Sequence, residues 1–276
     1  MHTLSLNFGK DLEGSLKPGP KPEWFQTMKR YLRYWGKADQ VTKQWHPLVC
    51  HMLDVAAVAQ SMMNSLPDFL CEWSERLGIS QKVLLDFIGF QACIHDLGKF
   101  SCEFQCKVPD LAHLLQGASI PSVVGYPHTS LAWLLWNGHL EPQLYAQFGI
   151  ENEQAIKFSN ALEPLYSASF GHHGGPVCEP GMISKKTFKR IFSSDVLFDC
   201  SSFLADLLNQ FDGVQQLFAR PEALEGYGRD IAAFSFILSG LIILADWTAS
   251  ASSNFPYLGT AKNGQFSNSI DSIDIG

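Results

Sequence analysis

Residues 47–66, PLVCHMLDVAAVAQSMMNSL, decide the fold class. Leu48, Met52, Val55, Ala59, Met62 and Leu66 recur at the spacing of one helix face, and Pro47 suits a first helical turn. Towards the C-terminus, Ser80 caps a second predicted helix that runs to His95, with Gly98 as its stop signal. Further helical patterns cover residues 128–137, 152–170, 195–218 and 229–250. Towards the N-terminus, EWFQTMKRYLRY (Glu23 to Tyr34) fits an amphipathic helix, whereas GSLKPGPKP, inside residues 1–22, reads as an extended lead-in. Strand-like alternation is scarce and no internal repeat is visible. The pattern predicts an all-α fold.

The chain has 276 residues, 46% of them apolar, enough to bury a substantial core in one large domain or two small ones. A formal charge of -7 gives no global attraction to nucleic acid. The charge is uneven, however. Residues 1–50 carry eight Lys and Arg (Lys10, Lys17, Lys21, Lys29, Arg30, Arg33, Lys37, Lys43) against four acids, and KKTFKR (Lys185 to Arg190) is a second basic cluster. Either is a solvated surface or a phosphate contact. Seven irregularly spaced cysteines do not form a disulfide framework, and Cys102 with Cys106 lacks a second pair at zinc spacing. No phosphate-binding loop is present, since LGK at 97–99 lacks the upstream glycine and the following Ser or Thr. The N-terminus has no signal-peptide pattern. The apolar run 231–245, between Asp230 and Asp246, is short for a bilayer and suits a buried core helix. The expected location is cytoplasmic, without a membrane partner.

The sequence ACIHDLGKF, residues 92–100, sets His95 beside Asp96 at the end of an oily stretch. Adjacent side chains on a helix diverge by roughly 100°, yet both reach one cation or a pair if the helix end faces a cavity. Lys99 follows four residues after His95 and can lean towards the same place. His51 lies on or beside the apolar face of the 47–66 helix, as a ligand or as a satisfied core histidine. His128 opens HTSLAWLLW, either as a helix cap or as a functional group. In FGHHGGP (170–176), His172 and His173 stand where a helix gives way to a turn, or in a polar loop. Asp246 follows fifteen uncharged residues. A buried carboxylate there needs a cation, strong donors or an exposed helix end. Together these are five imidazoles and two carboxylates, a donor set suited to Mn, Fe, Co, Ni or Zn, unlike the oxygen shell of Ca and less typical of Mg. Seven ligands exceed one ion's needs, and two ions sharing a carboxylate would use them economically.

The HxxD of HMLDVAAVA, then HDLGK, a later His before TSLAW, HHG and a final ADW resemble the HD superfamily of metal phosphohydrolases. The paired HHG, with YWGKAD and WHPLVCHMLDVAAVA upstream, looks specifically like the HD nuclease of type I CRISPR interference; the resemblance covers roughly residues 31–250. It implies a compact helical bundle around a dinuclear site. His51, His95, Asp96 and Asp246 would hold one metal. Asp96 would bridge to a second, completed by His128, His172 and His173. Lys99 matches the lysine that follows the HD pair and would bind the scissile phosphate, so Asp96 and Lys99 are the expected catalytic residues. The implied cofactors are two divalent transition-metal ions (Mn, Fe, Co or Ni, with Mg as a further option). The implied substrate is single-stranded DNA, cut by metal-activated water without a protein nucleophile. The implied partners are the type I surveillance complex, Cascade, and a CRISPR helicase, fused or separate. Residues 1–22 would then be a lead-in, 23–252 the HD nuclease domain and 253–276 a tail or linker towards the helicase. Two rival readings are an HD-superfamily nucleotide phosphohydrolase, which often needs only one ion, and a non-catalytic HD interaction domain.

Overall fold

In the computed structural model, which describes residues 28–39, 41–42, 44–117, 125–175, 177, 183–224 and 227–260, the helix expected at 47–66 is α1 (Leu48–Asn64). Leu48, Met52, Val55 and Ala59 are fully buried, as their spacing requires. Met63, rather than Met62, continues the buried face, and Leu66 lies beyond the helix and is exposed. After α2 (Pro67–Arg76) comes α3 (Gln81–Ile94), which packs along α1. The Ser80 side chain accepts the Val83 N–H at 3.2 Å, closing one of the donors left open at a helix start. Ser80→Ala is expected to cost about 1 kcal/mol in urea unfolding.

A 3-10 turn, Leu97–Phe100, leads into the short helices α4 (Cys102–Gln105) and α5 (Pro109–Gln116). Helix α6 (His128–Leu135) continues through a π turn (Trp136–Leu140) into α7 (Glu141–Gln147), and α8 (Asn152–Phe170) follows. The basic cluster is α9 (Lys185–Ile191). The helix expected over 195–218 is two, α10 (Ser194–Gln210) and α11 (Asp212–Phe218), because Phe211 at φ -114° and ψ 70° breaks the run while its ring stays in the core. Helix α12 (Gly228–Ser250) packs on α1 and α8.

The N-terminal region departs from the helical pattern of its sequence, and α12 from the full burial expected of it. Residues 23–27 lie outside those described, and Arg30–Arg33 form a 3-10 turn rather than an α-helix. The chain then enters β1 (Trp35–Asp39), antiparallel to β2 (Gln44–Pro47), which in turn pairs antiparallel with β3 (Gly259–Thr260). This strip covers a small second core of Trp35, Trp45, Phe104, Leu111 and Leu115. Phe255 packs on the main core and β3 closes the sheet edge, so the start of the expected 253–276 tail runs back over the domain. The lead-in 1–22 and residues 261–276 lie outside the described residues. Helix α12 is not a wholly buried core helix. Ile231, Phe234, Leu238, Ile242, Ala245 and Ala249 face inward, while Phe236 (81% exposed) and Trp247 (70%) face out. It has the length and hydropathy of a bilayer span, yet its inner face is part of this core.

Gly98 is not a helix stop, since α3 has already ended. A Cβ at Gly98 would stand 1.8 Å from the His128 carbonyl oxygen and 2.6 Å from the Ala132 nitrogen. Its missing side chain lets the 3-10 turn lie directly on the first turn of α6.

Candidate metal centre

Five stretches of chain converge on Asp96. His51 comes from α1, His95 and Asp96 from the end of α3, and His128 from the first residue of α6. His172 and His173 come from the turn after α8, where Gly174 has φ +83°, and Asp246 from the last turns of α12. The packing of α1 on α3, and of α12 on both α1 and α8, brings them together. All seven expected ligands and Lys99 meet in one place.

Asp96 is fully buried, and its two oxygens face different groups. Oδ2 lies 3.3 Å from His51 Nε2, 3.2 Å from His95 Nε2 and 2.6 Å from Lys99 Nζ. Oδ1 lies 3.3 Å from His128 Nε2 and 3.6 Å from His172 Nε2. Asp246 Oδ1 is 3.2 Å from His51 Nε2 and 4.0 Å from His95 Nε2. His173 Nε2 sits 3.1 Å from His128 Nε2. Three overlapping trios have donor atoms within 4.8 Å of one another: His51, His95 and Asp96; His128, His172 and His173; and His95, His172 and Asp246.

The bland readings of these residues do not fit. A satisfied core histidine would have partners, but neither ring nitrogen of His51 makes a hydrogen bond of acceptable geometry. His128 is no cap: Pro127 holds that position, without a side-chain cap bond. Asp246 does not sit at an exposed helix end; it points at His51, four residues before α12 stops. The buried Nε2 of His95 and both Asp96 oxygens also lack well-formed hydrogen bonds. Imidazole nitrogens crowded at 3.2–3.6 Å around a buried carboxylate, with the Lys99 ammonium beside it, fit a shell of ligands for divalent cations.

The tautomers suit that role. His95 Nδ1 is 2.5 Å from the Ala92 carbonyl and His172 Nδ1 is 3.2 Å from the Ser169 carbonyl. A carbonyl only accepts, so each Nδ1 carries the hydrogen, and in the neutral, metal-ligating ring it is the Nε2 lone pair that faces Asp96. Burial, and then the neighbouring His95, pushes His172 down to about 3 and keeps it in the neutral, ligating form. Burial would raise Asp96, but Lys99 and His95 hold it well below the carboxylate range. Burial would likewise raise Asp246, but its neighbours His51 and His95 outweigh it and hold it below the carboxylate range. Both carboxylates are thus ionised.

The depressed His172 has a consequence for stability without metal. Between its ordinary 6.5 and about 3, the folded chain binds fewer protons at His172 than the unfolded chain does. That contribution is present above pH 6.5 and is lost as the pH falls towards 3. In EDTA, the urea midpoint of the wild type is expected to fall more steeply across this window than that of His172→Gln.

Sequence reading gave no role to Lys37, whose half-buried Nζ donates to the Ala249 carbonyl at 2.6 Å, tying β1 to the end of α12 near Asp246. It also missed the buried His46, paired at 2.9 Å with Asp54. YWGKAD and the HxxD spacing contain both Lys37 and Asp54, but neither pattern says what they touch.

The model of the Cas3 HD domain family matches residues 35–255. The CRISPR-associated endonuclease/helicase Cas3 of Thermus thermophilus is 26% identical over 238 residues, 85% of this chain and 24% of that protein. This chain therefore spans about a quarter of its curated relative. Among solved structures, the Thermus thermophilus Cas3 HD domain in the presence of Ni2+ is similar with a TM-score of 0.50 at 23% identity, covering 83% of this chain and 81% of that one. A CRISPR RNA-guided surveillance complex before nicking contains a chain similar at a TM-score of 0.55 and 22% identity, covering 84% of this chain and 26% of that one.

Proposed function

The chain belongs to the Cas3 HD domain family, and on that premise we propose that it is a metal-dependent nuclease that hydrolyses phosphodiester bonds of single-stranded DNA in type I CRISPR interference. One observation carries the reading: a buried carboxylate whose two oxygens each face a different pair of histidines. His51, His95, Asp96 and Asp246 would hold one divalent cation; Asp96, His128, His172 and His173 would hold the second. Cations bound there would supply Lewis acidity towards water and the phosphate oxygens.

The chain's own groups do the rest. The carboxylates stay ionised and balance the cations, while the carbonyls of Ala92 and Ser169 fix the rings of His95 and His172. Lys99, mostly buried beside Asp96, would meet a scissile phosphate oxygen. Exposed Lys185, Lys186, Lys189 and Arg190 on α9 offer a local positive strip on an acidic chain. The proposed partners are the Cascade surveillance complex, which would present the displaced strand, and a helicase, fused or separate. The setting is cytoplasmic.

The test is incubation with labelled single-stranded DNA, and separately with nucleotides, under Mn, Ni, Co and Mg. Strand scission in a transition metal, abolished by EDTA, is the expected result. Release of phosphate from nucleotides with the DNA intact would favour a phosphohydrolase. Unchanged DNA and nucleotides in every metal would favour an interaction domain.

A further inference from the structure

A cavity of about 200 Å³ opens beside the metal centre, lined by Glu103, Phe104, Lys107, Tyr126 and His128 among others. His128 belongs to both places, so whatever fills the cavity touches the reacting region. The lining has three kinds of chemistry. Tyr126 is 37% exposed and offers a ring face. The Phe104 ring has Lys107 Nζ 4.6 Å from its centroid and Lys99 Nζ at 5.4 Å, so positive charge stands at the mouth. Glu103 is more than nine-tenths buried; its Oε2 accepts a long 3.4 Å bond from the Tyr126 N–H, and its Oε1 has no partner.

The single long bond at Oε2 leaves this lining carboxylate with acceptor capacity that a ligand's donor can use. An aromatic face, a carboxylate acceptor and cations at the rim suit a flat heterocycle that carries an amino group and is tethered to a phosphate. The basic helix α9 packs against α4, which carries Glu103 and Phe104, and Arg190 is within electrostatic reach of Glu103. The positive strip singled out in the sequence therefore leads to the same mouth.

We infer that this cavity is a nucleobase subsite. It takes one amino-bearing base (cytosine, adenine or guanine) of the nucleotide next to the scissile phosphate. Tyr126 stacks on the base, Glu103 accepts its amino hydrogen, and Lys107 meets its backbone. Thymine, which has no exocyclic amino group, is disfavoured. The inference rests on the nuclease reading for its reaction but not for its binding chemistry.

Two measurements separate them. In EDTA, ligand-observed NMR compares binding of deoxycytidine monophosphate and thymidine monophosphate. The wild type is expected to prefer the cytidine nucleotide by about tenfold. Tyr126→Ala, a change at a half-exposed position, is expected to weaken both by about tenfold. Glu103→Gln, which replaces an acceptor pair by an amide, is expected to abolish or reverse the preference. With Mn, sequencing the cut ends of a mixed single strand should show thymine depleted at the nucleotide beside the cut, and Glu103→Gln should erase that depletion. Equal binding of the two nucleotides, or a preference untouched by Glu103→Gln, overturns the subsite. An intact strand together with Glu103-dependent cytidine binding overturns the nuclease reading and supports the pocket. Cleavage with no base preference does the reverse.

Discussion

Asp96→Asn is expected to abolish metal binding and strand cleavage together while the far-ultraviolet circular dichroism stays helical. The amide keeps the shape of the side chain and one oxygen but loses the charge that two histidine groups and Lys99 share. One of the two oxygens that face histidines would become an amide nitrogen, which has no lone pair to offer a cation. Loss of a residue contacting both halves should exceed the roughly 10–100-fold that removal of an outer-shell partner costs. Calorimetric titration with Mn and a single-strand cleavage assay read the two effects. Undiminished metal binding by the variant would show that Asp96 is not the shared ligand.

Gly98→Val is expected to damage the site without touching a ligand. The first added carbon would meet the His128 carbonyl at 1.8 Å and the Ala132 nitrogen at 2.6 Å, and both are backbone atoms that no rotamer change can move. Helix α6 must back away, and His128 goes with it. Overpacking of this kind costs about 1–3 kcal/mol and occasionally more, and each kcal/mol lowers the melting temperature by roughly 2–4 °C in a chain of this size. Differential scanning calorimetry gives the stability. Metal titration should show the half of the site that includes His128 weakened more than the half that includes His51. A wild-type melting temperature and an unchanged titration would mean that α6 is not held by this contact.

Much of this centre was legible in the sequence, for identifiable reasons. The apolar period of α1 and α3, Ser80 as a cap, and the turn after His172 follow from local rules that tertiary packing did not override. The seven candidate ligands stood out because imidazoles and carboxylates inside apolar helices need a reason to be there. What stayed hidden depends on partners distant in sequence. Strands β1 and β2 are four or five residues long and carry Lys, Asp, Gln and His, so no alternation marks them. Phe211 is apolar and keeps the helical period while its backbone leaves it. Helix α12 is apolar on every side, so sequence alone could not separate the face that packs from the one carrying Phe236 and Trp247. Gly98 read as punctuation, whereas its role is a close approach to a helix thirty residues later. Glu103 carries no local signal, because the Tyr126 N–H that meets it lies twenty-three residues away.

The central claim is that Asp96 joins two cation sites. Crystals grown with Mn, measured on both sides of the Mn absorption edge, test it most directly. The account predicts two anomalous peaks, one against Asp96 Oδ2 with His51 and His95, the other against Oδ1 with His128 and His172. A single peak with His128 and His173 outside its shell, or peaks remote from Asp96, would contradict it.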